Sequence, residues 1–359
     1  MASLSNPEGA APVAVDSAVA IRRRPTLRDV AALAGVSFKT VSRVVNGEPG
    51  VSNRLAQQVR EAADQLGYRP NAMATALRRA DGRTSTLGVL LEDTGNPFFA
   101  ALLRGVEDTA REHGVAVFSS STDLDVARER DMSAAFLARQ VDALICAPSH
   151  DDADHIDRLV DAGVNVVLVD RPIDRLTVPS VTTNNREGAR IGVQHLIAAG
   201  HRRIGYVGRD PAIHTSRERY AGYVDALVAA GLPIDEDLVF RVGATRSSSQ
   251  VQLEALLDSA TPPTAIFTAQ DIITMTAVGV LQRRELANDT ALVGFDDFEL
   301  ADLLQPGITV VAQDPYRIGA IAASLALGRE CSGDEHPEPG HHVVGTRLIA
   351  RGSGEVPLR

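Results

Sequence analysis

The feature that most restricts the fold is the alternation of apolar runs with amphipathic helical segments. Runs rich in Val, Ile and Leu occur at 86–93, 115–121, 143–149, 165–172, 204–209, 264–270, 291–297 and 308–313. Most are separated by helical patterns of about 12–18 residues. Such alternation predicts parallel α/β sheets with helices on both faces. Because this region is longer than a typical single domain, two α/β lobes are expected.

Polar residues follow directly after most of these runs. In open α/β sheets, ligands bind beyond the carboxyl ends of the strands. This rule selects as candidates Asp93, Ser121, Asp170, Arg171, Gly208, Arg209, Gln270, Asp271, Asp296 and Asp297. Carboxylates at strand ends suit a hydroxyl-rich or cationic ligand, although about half of these side chains are expected only to cap the next helix.

Residues 26–67 carry the start and stop signals of three short helices. The predicted caps are Thr26 (with Asp29 in a capping box), Ser37 and Ser52, and the predicted stops are Gly35 and Gly67. Apolar residues at helical spacing are predicted to face inward: Leu27, Val30, Ala31, Ala34, Val41, Val44, Val45, Leu55, Val59, Ala62 and Leu66.

Two short helices joined through a glycine turn, followed by a third, form a helix-turn-helix. The second helix of this motif lies in the major groove of DNA. Its candidate contacts are Ser37, Phe38, Lys39, Thr40, Ser42, Arg43 and Asn46. Lys and Arg can read guanine, whereas hydroxyl groups hold phosphates. A small bundle with an ordinary polar face is the alternative.

The charge distribution favours the DNA-binding alternative. Residues 21–80 have a balance of +7, whereas residues 81–359 have a balance of −15, within a net charge of −10. A basic module on an acidic body indicates an anionic partner for that module.

The sequence lacks the residue motifs that common classes of enzyme require. Lys39 is the single lysine, and no Gly-Lys pair is present for a P-loop. The motifs G-x-G-x-x-G, G-x-S-x-G and H-E-x-x-H are also missing. Cys146 and Cys331 form neither a disulfide framework nor a metal cluster. We therefore expect no catalytic residue, no metal and no cofactor.

The N-terminal segment carries no secretion signal. It lacks a basic start followed by a long apolar run, and no apolar stretch in the sequence reaches the length of a membrane span. The protein is expected to be cytoplasmic and without a membrane partner, which argues against a secreted solute receptor.

Residues 27–79 read LRDVAALAGVSFKTVSRVVNGEPGVSNRLAQQVREAADQLGYRPNAMATALRR. They combine D-V-A-x-x-A-G-V-S-x-x-T-V-S-R-V-x-N-G with L-G-Y-x-P-N-x-x-A-x-x-L. This segment resembles the headpiece of LacI/GalR-type bacterial transcription regulators. The segments TLGVLLEDTGNPFFAALLRGVEDTAREHG, VVLVDRP, SRERYAGYVDAL, LVGFDD and TRLIARGS resemble the same family, so the resemblance covers residues 26–354.

The resemblance implies an N-terminal all-α helix-turn-helix headpiece and an α/β two-lobed effector domain like periplasmic binding proteins. Three crossovers join the lobes, and the effector lies in the cleft between them. The effector contacts that it implies are Phe98, Phe99, Arg171, Arg217, Asp271 and Asp296. The function it implies is that of a sequence-specific regulator, a repressor, controlled by a sugar or nucleoside-like effector.

The segment PNAMATALRR (70–79) is too short to hold a helix alone in water. In the resembled family it is a hinge helix that pairs between subunits in the minor groove of the operator. The implied DNA contacts are Asn71, Ala74, Leu77 and Arg78, with Leu77 as the side chain inserted between base steps.

The expected domains are a disordered tail (1–24), the DNA-binding domain (25–69), the hinge helix and linker (70–83) and the effector-binding domain (84–359). The tail GSGEVPLR has no leucine heptads, so a homodimer is expected rather than a tetramer. Gln270-Asp271 stands where relatives commonly have Asn-Asp, and Asn184 where they have Asp. These departures leave the effector's identity open. Whether the effector releases or promotes DNA binding is also open.

Overall fold

A computed structural model describes residues 25–69, 84–151, 154–243, 246–328 and 340–358. The chain divides into two compact units, Met1–Arg83 and Thr84–Arg359. The predicted tail and the predicted hinge contacts Asn71, Ala74, Leu77 and Arg78 lie outside the described residues. No helix in the described part is long and apolar enough to cross a membrane.

The headpiece contains three helices, α1 (Leu27–Ala34), α2 (Phe38–Val45) and α3 (Asn53–Leu66). All three predicted caps are confirmed. Thr26 and Asp29 form the capping box, and the hydroxyl groups of Ser37 and Ser52 accept backbone N–H bonds. Gly35 and Gly67 end α1 and α3 with left-handed backbone, a conformation that glycine adopts without steric cost.

The headpiece core is small and aliphatic. Its buried members are Val30, Ala31, Ala34, Val41, Val59 and Ala62, with Leu27, Val44, Val45 and Leu66 partly buried against them. The inward prediction for Leu55 was wrong, because the side chain is 37% exposed. The buried face of α3 is formed by Val59 and Ala62, further along the helix.

Lobe 1 is a six-stranded parallel sheet in the order β11-β5-β4-β3-β1-β2. Its strands are β1 (Thr86–Leu91), β2 (Ala116–Ser121), β3 (Ala143–Cys146), β4 (Asn165–Val169), β5 (Ser180–Thr183) and β11 (His341–Val344). Its helices are α4 (Pro97–Glu112), α5 (Val126–Ala138), α6 (Asp154–Asp161) and α11 (Pro315–Ala326). Val89 and Leu90 of β1 point into apolar clusters on opposite faces.

Lobe 2 repeats this order as β12-β10-β9-β8-β6-β7, with only β12 antiparallel among the described strands. Its strands are β6 (Ile204–Gly208), β7 (Val239–Arg241), β8 (Ala265–Thr268), β9 (Ala291–Phe295), β10 (Thr309–Ala312) and β12 (Arg347–Ile349). Its helices are α7 (Asn185–Ala198), α8 (His214–Ala229), α9 (Arg246–Leu257) and α10 (Asp271–Arg283), with 3-10 turns at Glu236–Leu238 and Ser353–Glu355.

The described chain passes between the lobes three times, from β5 to α7, from β10 to α11 and from β11 to β12. All eight predicted apolar runs contain strands, as expected for a doubly wound sheet. The remaining strands β5, β7, β11 and β12 lie outside these runs, because stretches of three or four residues carry little periodicity.

Candidate ligand-binding cleft and DNA-recognition helix

A cleft lies between the lobes at the carboxyl ends of their strands. One part of it, called the first chamber, measures about 420 Å³ including space open to solvent. Lobe 1 contributes Glu92, Asn96, Phe98, Phe99, Asp170 and Arg171. Lobe 2 and the second crossover contribute Arg209, Ile213, Thr215, Ser216, Arg219, Ala269, Gln270, Asp296 and Gln313. Residues at the strand ends of both lobes therefore face one shared space.

Glu92 and Arg209 form an ion pair across this cleft. Arg171, on the same lobe as Glu92, also donates from Nη2 to Glu92 Oε2 at 2.6 Å. Burial alone would raise the pKa of Glu92, but the guanidinium groups of Arg171 and Arg209 hold it below its ordinary value. Glu92 is therefore a charged carboxylate shared between two arginines, one from each lobe.

Arg219 on α8 is fixed from four directions. Its guanidinium donates to Asn185 Oδ1 at 2.7 Å and to the carbonyl oxygen of Ala269 at 2.7 Å. It also pairs with Asp296 Oδ2 at 3.3 Å and lies 3.8 Å from the centre of the Phe295 ring. Because the guanidinium has little freedom left, it holds the Asp296 carboxylate in one orientation beside the chamber.

Asp271 begins α10 and is 1% exposed. Its Oδ1 accepts from the backbone N–H of Ile272 at 2.7 Å and from Asn96 Nδ2 of the opposite lobe at 3.4 Å. Burial and the nearby Asp296 carboxylate raise the pKa of Asp271 to about 6. This carboxyl group consequently changes charge not far below neutral pH.

Three buried polar atoms at the cleft have no hydrogen-bond partner within the described part of the chain. They are Arg171 Nη1, Asp271 Oδ2 and Gln313 Oε1. Buried polar groups are seldom left unpaired, and each one that is costs free energy. One donor and two acceptors match hydroxyl groups, which both donate and accept.

The charges around the first chamber nearly cancel. Among the described residues, Arg171, Arg209 and Arg219 stand against the carboxyl groups of Glu92, Asp170, Asp271 and Asp296. The carboxyl groups exceed the arginines by one, and the raised pKa of Asp271 reduces the mean charge of that group. The rings of Phe98 and Phe99 pack edge to face with centroids 5.1 Å apart and add an apolar surface. A chamber lining with this charge balance fits a neutral ligand better than an anionic one.

A second chamber adjoins the first and measures about 630 Å³, again including space open to solvent. The two chambers share Glu92, Asn96, Arg209 and Gln270. The second chamber adds Asp93, Asp123, Gly243, Ser249, Ile272 and Ile273.

In the headpiece, α2 presents one polar face. Val41 is buried, Phe38 is 50% exposed and Lys39 is exposed. The Arg43 guanidinium lies 3.9 Å from the Glu48 carboxylate in a half-exposed pair. Ser37 caps the helix and Asn46 donates to the Ser42 hydroxyl at 3.3 Å. A half-exposed phenyl ring next to Lys39 on the first turn is a residue type that can contact the methyl group of thymine in the major groove.

Two family models match the chain. Residues 26–71 match that of the bacterial regulatory proteins of the lacI family. Residues 84–332 match that of the periplasmic binding proteins and sugar binding domain of the LacI family. The chain belongs to the LacI family. Like its relatives, this LacI-family protein is a DNA-binding transcription regulator.

Catabolite control protein A of Priestia megaterium is 36% identical over 305 residues, 84% of this chain and 91% of that protein. A solved complex of the transcriptional regulator CelR with cellobiose is 33% identical, with a TM-score of 0.67, covering 92% of this chain and 100% of that one. The Lac repressor dimer bound to operator and the anti-inducer ONPF is 26% identical, with a TM-score of 0.76, covering 92% and 99%. The two-part LacI-family fold predicted from the sequence is confirmed.

The structure brings most of the predicted effector contacts of this LacI-family chain together. Phe98, Phe99, Arg171 and Asp296 line the first chamber, and Asp271 lies next to its lining residue Gln270. Arg217 is placed elsewhere: it is exposed, and its guanidinium contacts His214 and the Pro211 carbonyl. Successive helical residues point about 100° apart, so Arg217 and Arg219 lie on different faces of α8, and Arg219 takes the position in the cleft wall.

Several cleft residues were missing from the predicted contacts: Glu92, Asn96, Arg209, Arg219 and Gln313. The strand-end rule had selected Arg209, and it also selected Gln270, which lines both chambers. Asp297, selected by the same rule, instead pairs with Arg351. Asn96 shows a signal that was not used, since it precedes Pro97 as the cap of α4.

Proposed function

We propose that this LacI-family regulator is a homodimeric repressor whose affinity for operator DNA changes when a small, neutral, hydroxyl-rich effector binds in the first chamber. The effector is a sugar or a nucleoside-like molecule, and the protein releases it chemically unchanged. The protein acts on operator DNA in the cytoplasm.

The unpaired polar atoms at the cleft are the observation that supports binding of a hydroxyl-rich effector. Arg171 Nη1, Asp271 Oδ2 and Gln313 Oε1 need one acceptor and two donors. A ring with vicinal hydroxyl groups supplies both kinds, and the Phe98 ring offers an apolar surface to its flat side. The CelR relative with cellobiose in its structure shows that a fold of this kind holds a saccharide.

The exposed face of α2 supports the DNA half. The proposed major-groove contacts are Ser37, Phe38, Lys39, Thr40, Ser42, Arg43 and Asn46. Ser37 and Asn46 also have structural roles as caps, so we propose that Phe38, Lys39 and Arg43 read bases. The proposed minor-groove contacts are Asn71, Ala74, Leu77 and Arg78.

Two measurements on the full chain test the proposal. In a thermal-shift screen, glucose, galactose, ribose, cellobiose, adenosine and cytidine are added singly, because a ligand that binds the folded state raises Tm by mass action. A gel shift then measures binding to DNA upstream of the protein's own gene at increasing salt, where phosphate contacts predict a steep loss of affinity. If no DNA fragment is retarded specifically in the gel, the proposed DNA binding is contradicted. If no compound raises Tm, the proposed effector binding is contradicted.

A further inference from the structure

Glu92 and Arg209 occupy equivalent positions in the two lobes. The sheets repeat one strand order, with β1 of lobe 1 in the place of β6 in lobe 2. Glu92 directly follows β1, Arg209 directly follows β6, and the next helices begin five residues later, at Pro97 and His214. Both sheets present carboxyl strand ends to the cleft, so these two residues meet there with opposite charges.

The ion pair lies on the boundary between the two chambers. Both partners line both chambers, together with Asn96 and Gln270. Asn96 also bridges the two lobes here, through its hydrogen bond to Asp271. The side chains of Glu92 and Arg209 are 12% and 14% exposed. At this burial the pair is less screened by water and salt than a surface ion pair.

Separation of the pair has unequal consequences for its two members. When Arg209 moves away, Glu92 keeps the 2.6 Å bond from Arg171. Arg209 already borders the second chamber, and its long side chain can turn towards solvent. The pair can therefore open without leaving a buried carboxylate unpaired, a change that would otherwise be strongly unfavourable.

Two of the three unpaired polar atoms at the cleft, Arg171 Nη1 and Gln313 Oε1, belong to residues on one side of this boundary. Arg171 and Gln313 line the first chamber and not the second. A ligand confined to the first chamber can satisfy Arg171 Nη1 and Gln313 Oε1 while the Glu92–Arg209 pair stays intact. A ligand that extends into the second chamber has to displace Arg209.

We propose that Glu92 and Arg209 determine the size of a saccharide effector: they close the first chamber behind a single sugar ring and exclude disaccharides. This inference rests on the saccharide alternative of the proposed effector site. The pair is a specificity-determining contact between the lobes, made by residues that directly follow equivalent strands.

The test compares single rings with two-ring ligands on the full chain. Titration calorimetry measures the affinities of glucose, galactose and ribose and of the disaccharides cellobiose, lactose and maltose. For the wild type, the best monosaccharide is expected to bind at least about tenfold more tightly than any disaccharide, a difference of about 1.4 kcal/mol. In Arg209→Ser the ratio is expected to fall to about one or to reverse, as the boundary opens.

A matched variant separates selectivity from a general loss of stability. Arg284 pairs with Asp258 inside lobe 2, away from the cleft, so Arg284→Ser removes an arginine from an ion pair without touching the boundary. Its selectivity is expected to equal that of the wild type. If Arg209→Ser weakens the binding of every ligand equally, the ratio of monosaccharide to disaccharide affinity stays unchanged. The pair would then have only a structural role, and the proposal would be overturned.

A second measurement needs no ligand. Thermal unfolding is followed for Glu92→Gln, Arg209→Gln and the double variant, a cycle that isolates the interaction between the two side chains. The double variant is expected to lose no more Tm than the worse single variant, whereas additive losses would show that the pair is not formed in solution.

The outcomes also separate this inference from the proposed function. A disaccharide that binds the wild type as tightly as any monosaccharide would overturn the size limit and leave the effector site in place. If none of the six sugars binds, the size limit falls together with the saccharide alternative, whereas operator binding is judged independently by the gel shift.

Discussion

Gly105 and Gly222 are equivalent residues in the helix pairs of the two lobes. Each is the ninth residue of its helix, α4 or α8. A Cβ atom on Gly105 would lie 2.1 Å from the carbonyl oxygen of Tyr316, and one on Gly222 would lie 2.1 Å from that of Arg186. Tyr316 and Arg186 are the second residues of α11 and α7, the helices that directly follow crossovers.

This contact predicts that a single methyl group destabilises either lobe. Because backbone rather than a flexible side chain blocks the added atom, Gly105→Ala or Gly222→Ala should lower the free energy of unfolding by about 1–3 kcal/mol. The control is Gly279→Ala in α10, where the nearest atom is the end of the Arg283 side chain at 3.3 Å. There alanine should be neutral or stabilising by up to about 1 kcal/mol. Urea denaturation measures all three, and equal effects would refute the close-packing argument.

The buried carboxyl group of Asp271 predicts a pH-dependent stability. Its pKa of about 6 in the folded protein exceeds the unfolded value of about 3.9. The folded state therefore binds the proton more tightly, so this contribution is present below about pH 4 and is lost as pH rises through about 6. The loss amounts to about 3 kcal/mol.

Asp271→Asn removes the titrating group while keeping an oxygen acceptor for the N–H of Ile272. Chemical denaturation of the ligand-free chain between pH 4.5 and 8, a range chosen to span about 6, should therefore show a flatter profile for the variant. Above pH 7 the variant should be the more stable protein. Parallel profiles for variant and wild type would count against a raised pKa.

The sequence predicted the architecture better than the cleft. Alternating apolar runs and helix caps located the sheets and the headpiece, because both signals are local. The predicted first run extended to Asp93, whereas β1 ends at Leu91, so Glu92 was not selected as a strand-end residue. Its partners Arg171 and Arg209 lie 79 and 117 residues away, and no local pattern reports such a pairing.

The position of Arg219 on the buried face of α8 could have been predicted from the sequence. The buried residues of α8 include Ser216, Arg219, Gly222 and Tyr223, which follow the helical repeat. Arg217 lies off this repeat. Extending the buried face of the helix from its glycine selects Arg219, the arginine that lines the first chamber.

The two arginines predict different phenotypes. Arg219→Lys keeps the charge but loses the planar fork that holds Asn185, Ala269 and Asp296 together. It should weaken binding of the ligand that gives the largest thermal shift by at least about tenfold. Arg217→Lys, an exposed substitution on the same helix, should leave that affinity within about twofold. Calorimetry measures both affinities, and a larger loss in Arg217→Lys than in Arg219→Lys would assign the effector contact to Arg217 instead.

Arg43 is the side chain of α2 that most directly tests base reading. Arg43→Ala should cost about 1–3 kcal/mol in operator affinity and relax the preference at one base pair. Selection of binding sites from randomised DNA, at fixed salt, compares the variant with the wild type. A uniform loss over all sequences would assign Arg43 to a phosphate instead.

The most direct test measures operator affinity with and without the sugar or nucleoside that raises Tm most. Fluorescence anisotropy on the selected operator is recorded for the wild type and for Arg219→Lys at one salt concentration. The ligand should change the wild-type dissociation constant at least about fivefold, and it should change that of Arg219→Lys far less at the same ligand concentration. A ligand that binds the wild-type cleft and leaves its operator affinity unchanged would contradict the account.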